Sequence, residues 1–201
     1  MDTTPSLLRV EVEAAIRRLK TKKSSGLDNI TAEEIQATND RSVDVLFALS
    51  KKVWKKEQFP STWKKSVIVP LYKKKDKLCC YNYGGMSLLS HCEKLMASIL
   101  LQRIRKRTDE VLTEAQAGFR AGRSTIDQLF TLRRMTEEYI EYGKDLYVCS
   151  VDFQKAFDSV WRAGLWQVML HLRYDEKIII LLEALYKDTL SAVRVDGELA
   201  K

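Results

Sequence analysis

Apolar positions along the chain follow helical spacing over most of its length. Over residues 10–20, Val12, Ala15, Ile16 and Leu19 fall on one face of a helix that runs into a basic loop. A Ser-Ser-Gly stretch follows and reads as flexible, and then Thr31 and Glu34 have the spacing of a capping box, which predicts a helix start near Thr31. Residues 43–56 place Val45, Leu46, Leu49 and Val53 on one stripe, with Pro60 as a stop.

The segment "KKSVIVPLYKKKDK" changes period. It is short, β-branched and apolar, and predicts a strand that forms a hairpin or its first arm, with Pro70 at an edge or break because proline donates nothing to a ladder. Ser90 and Glu93 repeat the capping-box spacing ahead of a helix through Leu95, Met96, Ile99, Leu100 and Ile104. The loop "EAQAGFRAGRST" leads to a helix opened by Ser124 and Asp127 and closed by Gly143. "DLYVCSVDF" is the best candidate for a buried strand, ending at Asp152. Helical patterns at residues 160–170 and 176–186 precede "SAVRVDGELA", a strand with Asp196-Gly197 as a hairpin turn. The order is α+β and predominantly helical, without repeats, and its one soft boundary is a composition change near residues 143–145.

Charge and cysteine usage narrow the chemistry. With 201 residues, 45% of them apolar, the chain can bury a sizeable core. A net charge of +7 is concentrated in "RRLKTKK", "KKVWKKEQ", "YKKKDK" and "QRIRKR", which suits a polyanionic partner or a solvated surface. The N-terminus lacks the basic flank and apolar core of a secretory signal, so an intracellular protein, nuclear or cytoplasmic and not secreted, is expected. The longest strictly apolar run, residues 178–182, is far short of a membrane span. Cys79, Cys80, Cys92 and Cys149 lack zinc-site spacing, read as reduced thiols, and make no metal site with His91; His171 reads as a surface or packing residue.

The stretch "YVCSVDFQKAFDSV" carries the candidate chemistry. A carboxylate at the end of a buried strand, such as Asp152, is rigidly held with its oxygens open to a cleft, which suits Mg²⁺ bound together with substrate phosphates; strand-end capping or a salt bridge would use the same residue. Asp158 reads as starting or supporting the next helix.

The order "SSGLDNITAEEI", "FPSTWKKSVIVPLYKKKDK", "YNYGGMSLLSHCEKLMASILLQRI", "EAQAGFRAGRSTIDQLFTLRRM" and "YVCSVDFQKAFDSV" resembles the reverse transcriptase domain of LINE-type, non-LTR retrotransposons. The resemblance implies the fingers and the beginning of the palm of a right-hand polymerase. Residues 1–144 would form an N-terminal extension and fingers, and residues 145–201 the start of an incomplete palm. It implies an RNA-directed DNA polymerase working by two-metal nucleotidyl transfer, with an RNA template, a DNA primer and a deoxynucleoside triphosphate (dNTP) as partners and Mg²⁺ as cofactor. No membrane partner is implied.

Residue by residue, Asp152 matches the first catalytic, metal-binding aspartate. Phe153 matches a position beside the triphosphate, and Phe157 the bulky residue that excludes a ribose 2′-hydroxyl. Lys73, Lys74 and Lys75 are equivalent candidates for contact with triphosphate or template. Gly118, Phe119, Arg120, Gly122, Arg123 and Ser124 match the loop that shapes the template and nucleotide pocket. Lys155 and Asp158 belong to the pattern with structural roles.

Departures are also present. "NYGGMS" has Gly84 and Gly85 where the family has arginine and proline, and Arg173 stands where the family tends to have a small residue. No two adjacent aspartates occur, so the aromatic-x-Asp-Asp turn is missing from these residues. A chain truncated before that turn is expected to be inactive alone, and the alternative reading is a non-catalytic remnant with at most weak, non-specific nucleic-acid binding.

Overall fold

The computed structural model describes residues 4–37 and 39–200. The chain forms two compact units, residues 1–104 with 173–201 and residues 105–172.

The first unit holds the main core. Helix α1 (Arg9–Arg18) buries Val12, Ala15 and Ile16. Short α2 (Ala32–Gln36) opens on the expected box: the Glu34 N–H donates to Thr31 Oγ1 at 3.2 Å and the Thr31 N–H to Glu34 Oε2 at 2.7 Å. In α3 (Asp40–Lys56), Asn39 caps the start and Glu57, at φ 53°, ends the helix in the left-handed region. Val53 and Trp54 are buried, with Val43, Leu46, Phe47 and Leu49 packed against the core, while Val45 faces solvent instead of joining the stripe. Helices α4 (His91–Val111) and α7 (Glu176–Tyr186) complete the cluster through Leu95, Met96, Ile99, Leu100, Ile178 and Leu181.

A sheet of order β2-β1-β3-β4 belongs to the same unit. Strand β1 (Lys65–Tyr72) pairs antiparallel with β2 (Tyr83–Leu88) and parallel with β3 (Leu190–Val195), which pairs antiparallel with β4 (Glu198–Leu199). Pro70 lies beyond Ile68, the last β1 position paired to β3, so β1 has only the β2 ladder there and the lost donor is tolerated. Asp196 (φ 51°) and Gly197 (φ 87°) make the expected turn, with both central residues left-handed.

The Ser-Ser-Gly stretch is docked at its glycine, with Ser24 exposed. Gly26 is buried, and a Cβ on it would stand 2.7 Å from the Ser90 nitrogen and 2.8 Å from the Leu89 carbonyl carbon. Ser90 Oγ donates to Asp28 Oδ2 at 2.7 Å, and His91 Nδ1 lies 2.9 Å from the Ile30 carbonyl. Ser90 also accepts from the Cys92 N–H, but Glu93 Oε2 is buried without a hydrogen-bond partner among the described residues, so its carboxylate does not complete the box.

In the second unit, α5 (Thr125–Glu141) opens with Asp127 Oδ2 accepting from the Ser124 N–H and hydroxyl. It closes on Gly143 (φ 60°), whose N–H donates to Ile140 while the Lys144 N–H donates to Tyr139, the paired bonds of a Schellman end. Helix α6 (Arg162–His171) follows.

The buried strand expected over "DLYVCSVDF" does not form. Residues 144–153 have no regular structure, Tyr147 is 90% and Val151 73% exposed, and none of these residues pairs with a strand among the described residues. A β-rich sequence becomes a strand only when a neighbour accepts its backbone groups and covers its side chains; without that ladder its apolar character alone does not order it.

Candidate active site

The residues singled out from sequence divide between the two units. In the first, Tyr72 and Tyr83 face each other across the β1–β2 ladder with ring centroids 5.6 Å apart. Their hydroxyls donate to the Lys75 and Lys77 carbonyls, at 2.5 and 2.9 Å, and the Asn82 amide donates to the Asp76 carbonyl at 2.8 Å. These bonds fasten the ends of the basic loop that carries Lys73, Lys74 and Lys75, all exposed, with Lys75 left-handed at φ 75°. Sequence alone does not choose among the three lysines. Geometry distinguishes Lys73, whose stem crosses Gly84: a Cβ at Gly84 would lie 2.7 Å from Lys73 Cε and 3.4 Å from Nζ. The glycine therefore lets a cationic side chain lie against the sheet.

In the second unit, the loop before α5 is built around Arg120. Its guanidinium, 10% exposed, donates from Nη1 to the Thr113 carbonyl at 2.8 Å and stands with Nε 3.6 Å from Asp109 Oδ1. Most of its donors are thus committed to the end of α4 and the turn after it. Arg123 is paired with Glu114. The Gly118 carbonyl accepts from the Gln116 amide at 3.1 Å, and Gly122 is left-handed at φ 73°. Phe119 is unusual, a bulky residue at φ 62° with 96% exposure. Its ring meets that of Phe157 edge to face, with centroids 6.0 Å apart. The structure thereby joins the "GFRAGRS" loop to the segment after Asp152, a contact that no sequence spacing signals.

Asp152 is exposed in the irregular segment, Phe153 and Phe157 are 75% and 80% exposed, and the Asp158 N–H donates to the Lys155 carbonyl at 3.0 Å in a tight turn where Lys155 has φ 49°. Among the described residues no three of His, Cys, Asp and Glu converge as ligands for a metal ion. A lone exposed carboxylate on irregular chain does not fit a two-metal centre, which needs several oxygens held in fixed geometry.

The matched segment decides the family. Residues 72–201 match the family model described as reverse transcriptase (RNA-dependent DNA polymerase). The chain belongs to the reverse transcriptase family. Its similarities lie with the LINE-type, non-LTR retrotransposon members. It is 32% identical over 161 residues to the Drosophila melanogaster protein named "Probable RNA-directed DNA polymerase from transposon BS", a match covering 77% of this chain and 17% of that protein. It is 31% identical over 177 residues to the "Retrovirus-related Pol polyprotein from type-1 retrotransposable element R1" of Bradysia coprophila, covering 86% and 17%. With the "RNA-directed DNA polymerase from mobile element jockey" of D. melanogaster it shares 27% over 190 residues, covering 93% and 21%. The chain spans about one fifth or less of these relatives.

For a reverse transcriptase, two features here go beyond what the sequence pattern signals. "QRIRKR" reads as a free basic cluster, but Arg103 donates to Glu11 at 2.8 and 2.7 Å and to the Pro5 and Ser6 carbonyls, with its guanidinium 4.3 Å from the Trp54 ring centre. Burial alone would raise the Glu11 carboxyl, but the Arg103 hydrogen bonds hold it below its usual range. Arg107 is likewise engaged, donating to the Leu172 carbonyl at 2.9 Å. Arg173, where the family tends to carry a small residue, has φ 58°, the left-handed backbone that glycine adopts without cost. No described helix is long and apolar enough to cross a membrane.

Proposed function

We propose that this chain contributes the fingers and the start of the palm of an RNA-directed DNA polymerase that takes an RNA template, a DNA primer and dNTPs. The observation that carries the reading is that the family match includes the Asp152 segment, with Asp152 and Phe153 open to solvent and Phe157 set against the loop that holds Gly118, Arg120 and Arg123. In this reading Asp152 acts at the reacting end of the primer, Phe153 borders the nucleotide, and Phe157 supplies the bulk that rejects a ribose 2′-hydroxyl. Arg120 keeps the loop in shape, so Gly118 and Arg123 present its template face. Lys73, lying along Gly84, is favoured over Lys74 and Lys75 for the triphosphate or template phosphates. Asp152 is the residue of this chain that would hold Mg²⁺, which when bound would stabilise charge on phosphate oxygens, and the described residues alone do not make a two-metal centre.

The lone carboxylate favours a second reading, a non-catalytic chain that binds nucleic acid weakly and without sequence preference. Primer extension on an RNA template separates the two. A chimera in which this chain replaces the matching residues of the jockey polymerase should extend a primer, and Asp152→Asn in that chimera should abolish extension while RNA binding persists. Asp158→Asn should act mildly, through the turn at Lys155. Equal and complete loss from both substitutions would refute the assignment, and an inactive, RNA-binding chimera would support the non-catalytic reading.

A further inference from the structure

Where α1 ends beside α4, a cavity of about 290 Å³ is lined by Arg18, Lys20, Lys23, Lys94, His91 and Ser98. No carboxylate lines it, and none of its four cationic side chains forms a salt bridge among the described residues. Arg18 Nε donates to Ser98 Oγ at 3.1 Å, which fixes one guanidinium edge and leaves its terminal nitrogens for another acceptor. Lys94 is half-buried, and burial holds its ammonium below the usual lysine range although Glu93 and Asp28 act in the opposite sense. The nearby carboxylates stand outside the lining: Asp28 accepts from Ser90 Oγ, Glu33 from the Lys22 N–H, and Glu93 is buried at the start of α4. The last α1 carbonyls, which would repel an anion, are quenched by Gln36 Nε2, which donates to Ile16 and Leu19 at 3.1 and 2.8 Å.

Four cations gathered on one concavity with no carboxylate in its lining suit an anion. We infer that this cavity receives a phosphate of a single-stranded nucleic-acid backbone. Its volume lies at the small end of ligand sites, which run from about 300 Å³ upward, so it suits one phosphate with part of its sugar rather than a whole nucleotide. A flexible point charge at Lys20, Lys23 and Lys94 with one guanidinium fork at Arg18 recognises a phosphate without reading a base. The site lies on α1 and α4, away from the Asp152 segment in sequence, and so would hold strand rather than take part in chemistry. This inference rests on the reading of the chain as a nucleic-acid-handling protein.

The test is fluorescence anisotropy of a labelled single-stranded RNA of about twelve nucleotides with the whole chain, titrated across salt concentration. Arg18→Gln/Lys94→Gln and Lys20→Gln/Lys23→Gln should each weaken binding by about five- to tenfold for every sequence tried and reduce the magnitude of the salt slope by about 0.7. Arg41→Gln/Lys187→Gln, which removes two exposed cations outside the cavity, should change affinity less than twofold. The Lys20/Lys23 pair makes no side-chain hydrogen bond among the described residues, so its loss cannot be blamed on unfolding. Lys94→Arg should retain binding. In parallel, RNA should slow acetylation of Lys94, read by mass spectrometry, at concentrations where inorganic phosphate does not. Equal losses from cavity and control pairs, or protection of Lys94 by phosphate but not RNA, would overturn the inference. Failure of the unsubstituted chain to bind RNA would instead overturn the nucleic-acid reading on which it rests.

Discussion

Glu93→Gln should make the protein more stable in mild base and leave it nearly unchanged in mild acid. Glu93 stands in the first turn of α4, where the helix end favours a negative charge, but only 7% of the residue is exposed and its Oε2 has no partner among the described residues. Burial wins and pushes its carboxyl from 4.5 up to about 7, with Lys94 opposing in part. A raised carboxyl means that the folded chain keeps a proton which the unfolded chain releases. Stability from this group is therefore complete below pH 4.5, declines as pH rises between 4.5 and about 7, and stays lost above that.

At 1.36 kcal/mol per pH unit, the interval from 4.5 to about 7 sets a ceiling near 3 kcal/mol. Solvent screening and local relaxation reduce it, and about 1 to 2 kcal/mol is expected. Urea unfolding followed by the fluorescence of buried Trp54 and Trp63 measures this at pH 5 and pH 8 in both proteins. The unsubstituted chain should lose about 1 to 2 kcal/mol more than Glu93→Gln across that range, other titrations cancelling in the difference. Parallel pH profiles, or a Gln variant less stable at pH 8, would refute the claim that Glu93 is an uncompensated buried acid.

Three further outcomes test the packing and backbone claims. Gly26→Ala should cost about 1 to 3 kcal/mol, because the new methyl meets backbone at Ser90 and Leu89 that cannot swing aside; calorimetry showing no loss would refute the close approach. Arg103→Met should cost about 2 to 4 kcal/mol in denaturant unfolding by stranding Glu11 without its partner, and a neutral result would show the clamp to be dispensable. Arg173→Gly should raise stability by about 0.5 to 1 kcal/mol, since the backbone there is already left-handed; a fall in melting temperature would contradict the backbone assignment.

Local signals are legible where the chain itself supplies both partners. Thr31 with Glu34, Ser124 with Asp127, the Gly143 helix end and the Asp196-Gly197 turn each close hydrogen bonds within a few residues, so spacing is sufficient. Ser90 with Glu93 has the same spacing and does not complete the box: the Ser90 hydroxyl accepts from the Cys92 N–H and donates to Asp28, 62 residues away, while Glu93 Oε2 is left buried without a partner among the described residues. Val45 departs from its stripe for a similar reason, since a periodic pattern names a face but not which edge of it a neighbouring helix covers. Arg103 and Arg107 read as surface charge, and only tertiary contacts with Glu11, Pro5, Ser6 and Leu172 turn them into struts. Basic runs read from sequence thus overcount the charge free for a polyanion, while the cavity between α1 and α4 joins three cations of one run to Lys94, an isolated lysine about 70 residues further on.

The Asp152 segment shows the same limit at the candidate site. Its composition is that of a buried strand, yet Tyr147, Val148, Val151 and Phe153 are all more than half exposed. Strand formation is a property of a pair: each backbone donor released from water must find an acceptor on a neighbour, and each apolar side chain must meet a covering face. The described residues supply neither for this stretch, whereas β3, of similar β-branched character, becomes a strand because β1 accepts it over residues 65–68 and the Ser66 and Ser191 hydroxyls meet at 2.8 Å. Asp152 therefore inherits its freedom from the missing ladder. On the proposed reading of Asp152, a neighbouring strand that pairs with this segment would satisfy its backbone groups and hold the carboxylate in one place.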